Sequence, residues 1–230
     1  MSGLLPSNEK VLIHFDGANG ATSAVDLYGN DVAFGGAAVL STSGQKFGSA
    51  CLSVPNAAND VVTITNTPDV ALASAWTMEL WARWPDLTTA ADYFIFTAEN
   101  AGFYGVNLEL NVAAGPTKKL AVYLSSTGTT WNIANATLSS ALTMSVDTNY
   151  HIAVTHDTGT GHYYVYFDGA LVTDITSALN IGAITAIRIG NRGVDVGFGL
   201  KGKLDEFRLS NVCRYPGGTP FVPSASAFIA

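Results

Sequence analysis

An all-β sandwich is the fold class that this 230-residue sequence predicts, and three observations predict it. Helix signals are nearly absent. Short runs rich in Val, Ile, Phe, Tyr and Thr recur between Gly, Asn, Asp and Pro punctuation, the pattern of many short strands joined by turns. Hydrophobic residues make up 48% and charged residues only 13%, so the chain can bury a large core. No repeat and no linker-like tract divides it, and one domain is the simplest count.

The strands are expected in the following order. Residues 11–15, 32–40, 50–54 and 61–65 are Val-, Leu- and Ile-bearing stretches, each with Asp, Ser, Pro or Asn at one end or both. In "WTMELWARW" (76–84), Trp76, Met78, Leu80 and Ala82 share one face, which reads as core; Thr77, Glu79, Trp81 and Arg83 share the other. Trp81 implies that this second face is at least partly covered. Residues 93–97, 105–112, 119–125 and 149–156 continue the series. "LSSTGTTW" (124–131) reads as a hairpin with Trp131 packed against its base. In "HYYVYFDGALVTD", Tyr163, Val165 and Phe167 alternate with Tyr164, Tyr166 and Asp168. Asp168-Gly169 supplies a tight hairpin turn and 170–174 is the return strand. Residues 186–190 and 203–209 complete the set. The tail "PGGTPFVPSASAFIA" holds three prolines and should run extended over the surface.

Eleven Lys and Arg stand against 18 Asp and Glu, a formal charge of −7, and Lys118-Lys119 is their only adjacent pair. A phosphate-backbone binder needs clustered cations, so no nucleic-acid partner is expected. "MSGLLPSNEKVLIHF" lacks the basic start and apolar core of a secretory signal, and no apolar run approaches the ~20 residues of a membrane helix. The expectation is a soluble chain without membrane insertion, either made in the cytoplasm or exported by a route that this sequence does not encode. Cys51 and Cys213 read as two buried thiols, a bridge between them being the alternative.

Seven segments, "LIHFDGANG", "KFGSACLSV", "WTMELWARW", "NYHIAVTHD", "YYVYFDGALV", "IRIGNR" and "GKLDEFRLSNVCRY", resemble in sequence and order the concanavalin A-like laminin-G family over residues 11–215. "LIHFDG", "LSSTGTTW" and "LDEFRLSNVCRY…TPFVP" are most similar to versions found in bacteriophage virion proteins. The resemblance implies a jelly-roll sandwich of two antiparallel sheets, one flat or convex and one concave. It divides the chain into an arm (1–10), the jelly roll (11–215) and a tail (216–230). It implies a non-catalytic structural or decoration module of a phage particle (capsid decoration, tail or fibre), located in the virion and assembled in the host cytoplasm. Its partners would be other virion subunits or further copies of itself, met through the tail or the N-terminal arm. The alternative is a carbohydrate-binding or adhesion domain for a host-surface glycan; a glycosidase is the third and disfavoured reading.

Candidate site residues follow from these patterns. With regular alternation, Asp205 shares a face with Phe207 and Leu209 and would be buried, which requires that something satisfy it. Ca²⁺, with its about 6–8 oxygen ligands, would do so. The resemblance implies a structural Ca²⁺ between first and last strands, held by Asp16 and Asp205; the alternative is that Asp205 accepts backbone N–H bonds and Asp16 is a turn residue. Glu206 and Arg208 are expected to form a surface pair. Glycoside hydrolysis needs two carboxyls about 5–9.5 Å apart, yet the candidate strands carry single acids, Glu79 and Glu109, without a partner at i+2 or i+4. His14, His151, His156 and His162 lack zinc-site spacing, and His151 resembles the family's core histidine. Tyr93, Tyr104, Trp131, Tyr164 and Tyr166 are candidate sugar stackers, and 99–105 and 190–199 are candidate rim loops. Tyr104, Trp131, Asn191 and Arg192 are the expected ligand contacts.

Overall fold

The computed structural model describes residues 8–55, 59–65, 72, 74–89, 91–112, 117–192 and 198–229. Fifteen strands run through them: β1 (Glu9–Ile13), β2 (Asp31–Gly35), β3 (Val39–Ser41), β4 (Cys51–Pro55), β5 (Val61–Thr65), β6 (Trp76–Arg83), β7 (Ala91–Glu99) and β8 (Gly105–Val112). After these come β9 (Lys118–Leu124), β10 (Ala134–Leu138), β11 (Tyr150–Asp157), β12 (His162–Phe167), β13 (Ala170–Thr176), β14 (Ala186–Ile189) and β15 (Lys201–Ser210). They form two antiparallel sheets. Sheet A has the order β13-β12-β11-β6-β15-β4-β3, with β1 paired to β15; sheet B has the order β10-β9-β8-β7-β14-β5-β2.

The inner faces supply one continuous core. Trp76, Met78, Leu80 and Ala82 of β6 point into it, as alternation predicts, and so do Tyr163, Val165 and Phe167 of β12. Phe207 of sheet A meets Phe96 of sheet B edge to face at 6.2 Å. The β12–β13 hairpin turns on Asp168 and Gly169, whose φ values of +49° and +79° are what a two-residue turn of this hand demands. Two expectations differ from the structure. Residues 32–40 are not one strand: β2 joins sheet B and β3 joins sheet A, so the chain changes sheets there. β10, a largely exposed edge strand without an apolar alternation to mark it, is an additional element.

β15 departs from regular alternation. Opposite β6, Asp205 pairs with Trp81 and Arg208 with Glu79, so two residues on β15 face one on β6. This is a β-bulge, and Glu206 carries it at φ +56°. Leu204, Phe207 and Leu209 therefore point to the core. The expected grouping of Asp205 with Phe207 and Leu209 is corrected by this extra residue. So is the surface pair: Glu206 and Arg208 are 1% and 7% exposed. Glu206 instead accepts from the Phe228 backbone N–H at 2.7 Å and bonds His14 Nδ1 at 2.8 Å. Arg208 donates through Nε and Nη2 to Glu79 Oε1 at 2.9 and 2.7 Å.

The outer face of sheet A is covered by the chain itself. Tyr215 and Phe221 stack on each other (3.6 Å, 2° between planes) and pack with Tyr164 and Tyr166. Phe228 is 4% exposed, seated on Leu12 and Trp81 with its ring 4.0 Å from the Arg208 guanidinium. The segment beyond residue 215 thus completes the sandwich rather than hanging from it, and β1 begins inside the expected arm. Residues 1–7 of that arm lie outside the described residues. Removing a buried aromatic ring leaves a cavity and loses its transfer free energy, about 3 kcal/mol. Phe228→Ala is accordingly expected to lower unfolding stability by about 3 kcal/mol in urea titrations, whereas Val222→Ala, at a position 92% exposed, should change it by less than ~0.5 kcal/mol.

Candidate functional site

The outer face of sheet B carries the polar side chains of β7 and β8 that alternation turns away from the core. Thr97, Asn107 and Tyr123 stand side by side across β7, β8 and β9. Asp92 and Glu109 occupy the next rows of β7 and β8. Asp92, Asn107, Glu109 and Tyr123 line a cleft of about 210 Å³ whose walls include Phe94, Trp131, Arg192 and Phe198. Asn107 donates its Nδ2 to Glu109 Oε1 at 2.8 Å, and Asn111 donates to Asp92 Oδ1. The Asn107 Oδ1 is buried without a hydrogen-bond partner.

Two loops shape the rim, and Asn100 locks them together. Its Oδ1 accepts from the backbone of Gly102 and Tyr104 at 2.8 and 3.1 Å, and its Nδ2 donates to the Gly128 carbonyl at 2.7 Å. Gly128, at φ +70°, can hold this position because a Cβ there would lie 2.3 Å from the Asn100 Nδ2. Loop 99–105 thereby presents Tyr104, and the β9–β10 hairpin loop presents Trp131. Trp131 meets Tyr104 at 4.8 Å and Tyr123 at 5.5 Å between ring centroids, forming a half-buried aromatic row. Arg192 lies over the rings of Phe94 and Phe103 at 5.4 and 5.7 Å. The structure thus brings Trp131 and Arg192 to one cleft, with Tyr104 packed against Trp131 beside it. Asn191 is not a surface residue: it is 0% exposed and its Oδ1 takes the Arg192 N–H at 2.7 Å. Residues 193–197 of the second rim loop lie outside the described residues.

Asp92, Phe94, Asn107, Tyr123 and Phe198 are cleft residues that sequence patterning missed. The alternation Asn107, Glu109, Asn111 in "VNLELNV" is visible in the sequence and marks a polar outer face. Asp92 joins it only through the β7–β8 register, in which Asp92 faces Asn111. The other stacking candidates are not available: Tyr164 and Tyr166 lie under the C-terminal segment, and Tyr93 is 2% exposed.

The remaining candidates have structural partners. Glu79 is 0% exposed on β6 of sheet A, whereas Glu109 is on β8 of sheet B. Burial acts to raise its carboxyl, but His151, Arg208 and Tyr215 outweigh that and hold it below the usual carboxylate range. His151 donates through Nε2 to Glu79 Oε2 at 2.9 Å, and Tyr215 donates its hydroxyl at 2.6 Å. His14 bonds Glu206, His156 the Ser74 carbonyl, and His162 Asp174. Cys51 and Cys213 are unbonded, the first buried and the second half-buried.

Asp16 and Asp205 both grip the loop that precedes β4. Asp205 Oδ2 accepts the N–H groups of Lys46 and Phe47 at 2.7 and 3.0 Å, while burial pushes its carboxyl up to about 7. Asp16 Oδ1 accepts from the Ser49 hydroxyl at 3.0 Å and from the N–H groups of Ser49 and Ala50. Calcium requires oxygen ligands; Asp205 Oδ2 and Asp16 Oδ1 are met by N–H and O–H donors, while Asp205 Oδ1 is buried without a partner among the described residues. Among the described residues no three His, Cys, Asp or Glu side chains gather as a metal site. The contacts of Asp205 Oδ2 and Asp16 Oδ1 favour the alternative, a loop held by two carboxylates. The melting temperature should therefore be the same in chelator and in millimolar calcium, and Asp205→Asn should lower it equally in both. A calcium-dependent rise that Asp205→Asn abolishes would reinstate the cation.

Comparison with known proteins agrees with this architecture. Residues 56–216 match the family described as the concanavalin A-like lectin/glucanases superfamily, of the laminin G type. Among curated proteins nothing matches. Among solved structures, the binding domain of Paraclostridial mosquitocidal protein 1 superposes with a TM-score of 0.64 at 14% identity, covering 90% of this chain and 49% of that one. The botulinum neurotoxin serotype G binding domain gives 0.62 at 14%, covering 90% and 48%. The botulinum neurotoxin DC binding domain in complex with SialylT gives 0.59 at 12%, again covering 90% and 48%. The chain spans about half the length of these structures, and at such identities the likeness is one of fold. With the two-sheet jelly roll and a family match over most of its length, the chain belongs to the concanavalin A-like lectin/glucanase superfamily.

Proposed function

We propose that the chain is a non-catalytic binding module that takes a glycan in the cleft on the outer face of sheet B. The observation that carries this reading is the row Tyr104–Trp131–Tyr123 at the mouth of the cleft, with hydrogen-bonding Asn107, Glu109 and Asp92 behind it. A sugar offers an apolar ring face and a rim of hydroxyls, and a binding site for it needs both elements together. Amide donors already engage Glu109 and Asp92. That suits acceptors rather than the proton donor that hydrolysis requires of one acid in a pair. The solved complex of a similar fold with SialylT is consistent with a glycan-binding role for this architecture.

A second reading places the module on a phage particle as a decoration, tail or fibre component, against other virion subunits or further copies of itself. Its support is the resemblance carried by the first and last strands. Both strands also have folding roles here, since β1 pairs with β15. Labelling of particles with an antibody to this chain, viewed by electron microscopy, tests that placement.

A glycan array probed with the full chain tests the binding reading. Binding is expected, and Trp131→Ala should weaken it at least tenfold while leaving the melting temperature within a few degrees. Turnover of β-glucans or sialosides that disappears in Glu109→Gln would replace a binding module with a hydrolase.

A further inference from the structure

We infer that the cleft accepts neutral or amino-bearing oligosaccharide ends and rejects ends that carry a carboxylate, such as sialic or uronic acid; this rests on the cleft being a glycan site. Its lining is rich in acceptors and poor in cations. Asp92 and Glu109 bring two carboxylates, and among the described residues Arg192 is the single cation in the lining. The nearby Arg188 on β14 is paired with Glu99 and adds no net charge. Both carboxylates act at the same point as the aromatic row. The Tyr123 hydroxyl is held above its ordinary value by burial first, then by Glu109 and Asp92, and Arg192 offsets this only in part.

Asn107 adds a second, independent observation. It is 2% exposed in the cleft floor, its Nδ2 gives one hydrogen to Glu109, and its Oδ1 finds no donor among the described residues. A buried acceptor without a donor is a destabilising feature that a ligand hydroxyl or ammonium relieves. A ligand carboxylate has no proton to give it, and it would enter a site whose fixed charges are two negative to one positive. The formal charge of −7 on the whole chain repels the same ligands at longer range, over roughly the 8 Å that physiological salt leaves unscreened.

The test is titration of the full chain with neutral oligosaccharides ending in glucose, galactose or N-acetylglucosamine. Each is paired with the same oligosaccharide capped by sialic acid, and only binding that Trp131→Ala removes is counted. The expected result is at least tenfold weaker binding of the capped member. That gap should narrow in Asp92→Asn and in Glu109→Gln, and again when salt is raised. Asp92 is half-buried at the rim, so Asp92→Asn keeps the test intact if Glu109→Gln fails to fold. Equal or tighter Trp131-dependent binding of the capped member overturns the charge inference and leaves the glycan reading standing. Failure of both members to bind overturns the two together.

Discussion

One residue out of step in one strand organises half of this molecule. β15 lies inside sheet A, hydrogen-bonded to β6 on one edge and to β4 and β1 on the other. Without the bulge at Glu206, alternation would place Asp205 in the apolar core beside Phe207 and Leu209, at a cost of several kcal/mol for an unpaired carboxylate. With it, the apolar residues turn inward and Asp205, Glu206 and Arg208 become anchors. Asp205 holds the 46–47 loop, Glu206 holds His14 and the Phe228 backbone, and Arg208 holds Glu79. The positive φ of Glu206 is backbone strain of order 1–3 kcal/mol, maintained because these contacts over-determine the conformation.

The anchors explain why the two outer faces of the sandwich have different fates. Sheet A is roofed by the segment after residue 210, whose Tyr215, Phe221 and Phe228 rings surround His151 at centroid distances of 6.2, 5.6 and 6.1 Å. Glu79 sits under that roof with a full set of donors. A buried charge so arranged stabilises little relative to an apolar replacement, yet removing one partner is costly, because the remaining charge is left uncompensated. Such a network specifies where the roof lies more than it adds to stability. Among the described residues, sheet B instead carries over β7, β8 and β9 a cleft lined by Asp92, Asn107, Glu109 and Tyr123. The same strand chemistry, an acid or amide every second residue, is structural on one sheet and available for binding on the other.

Loop geometry then turns an open face into a cleft. Asn100 bonds both its own loop and the hairpin loop at Gly128, so Tyr104 and Trp131 are held by one side chain. The aromatic row is therefore pre-organised, which reduces the ordering that binding would otherwise require.

Much of this was legible in the sequence. Period-two alternation determined the two-sheet class, the inward face of β6 and the β12–β13 hairpin, because those features depend only on near neighbours in the chain. Aromatic residues and glycine-punctuated loops pointed to Tyr104, Trp131 and Arg192, all half-buried, and also to Asn191, which is buried. Tertiary structure decided the rest. Whether Asp205 faces core or cover depended on a bulge whose extra residue is accommodated by pairing with β6, about 125 residues earlier. Whether Asp92 joins Glu109 depended on the β7–β8 register, and whether Phe228 meets a partner or its own sheet depended on Glu206, 22 residues before it. Alternation is local and survives in a string of letters; bulges, registers and coverings are settled by contacts between distant segments, and only the folded chain holds them.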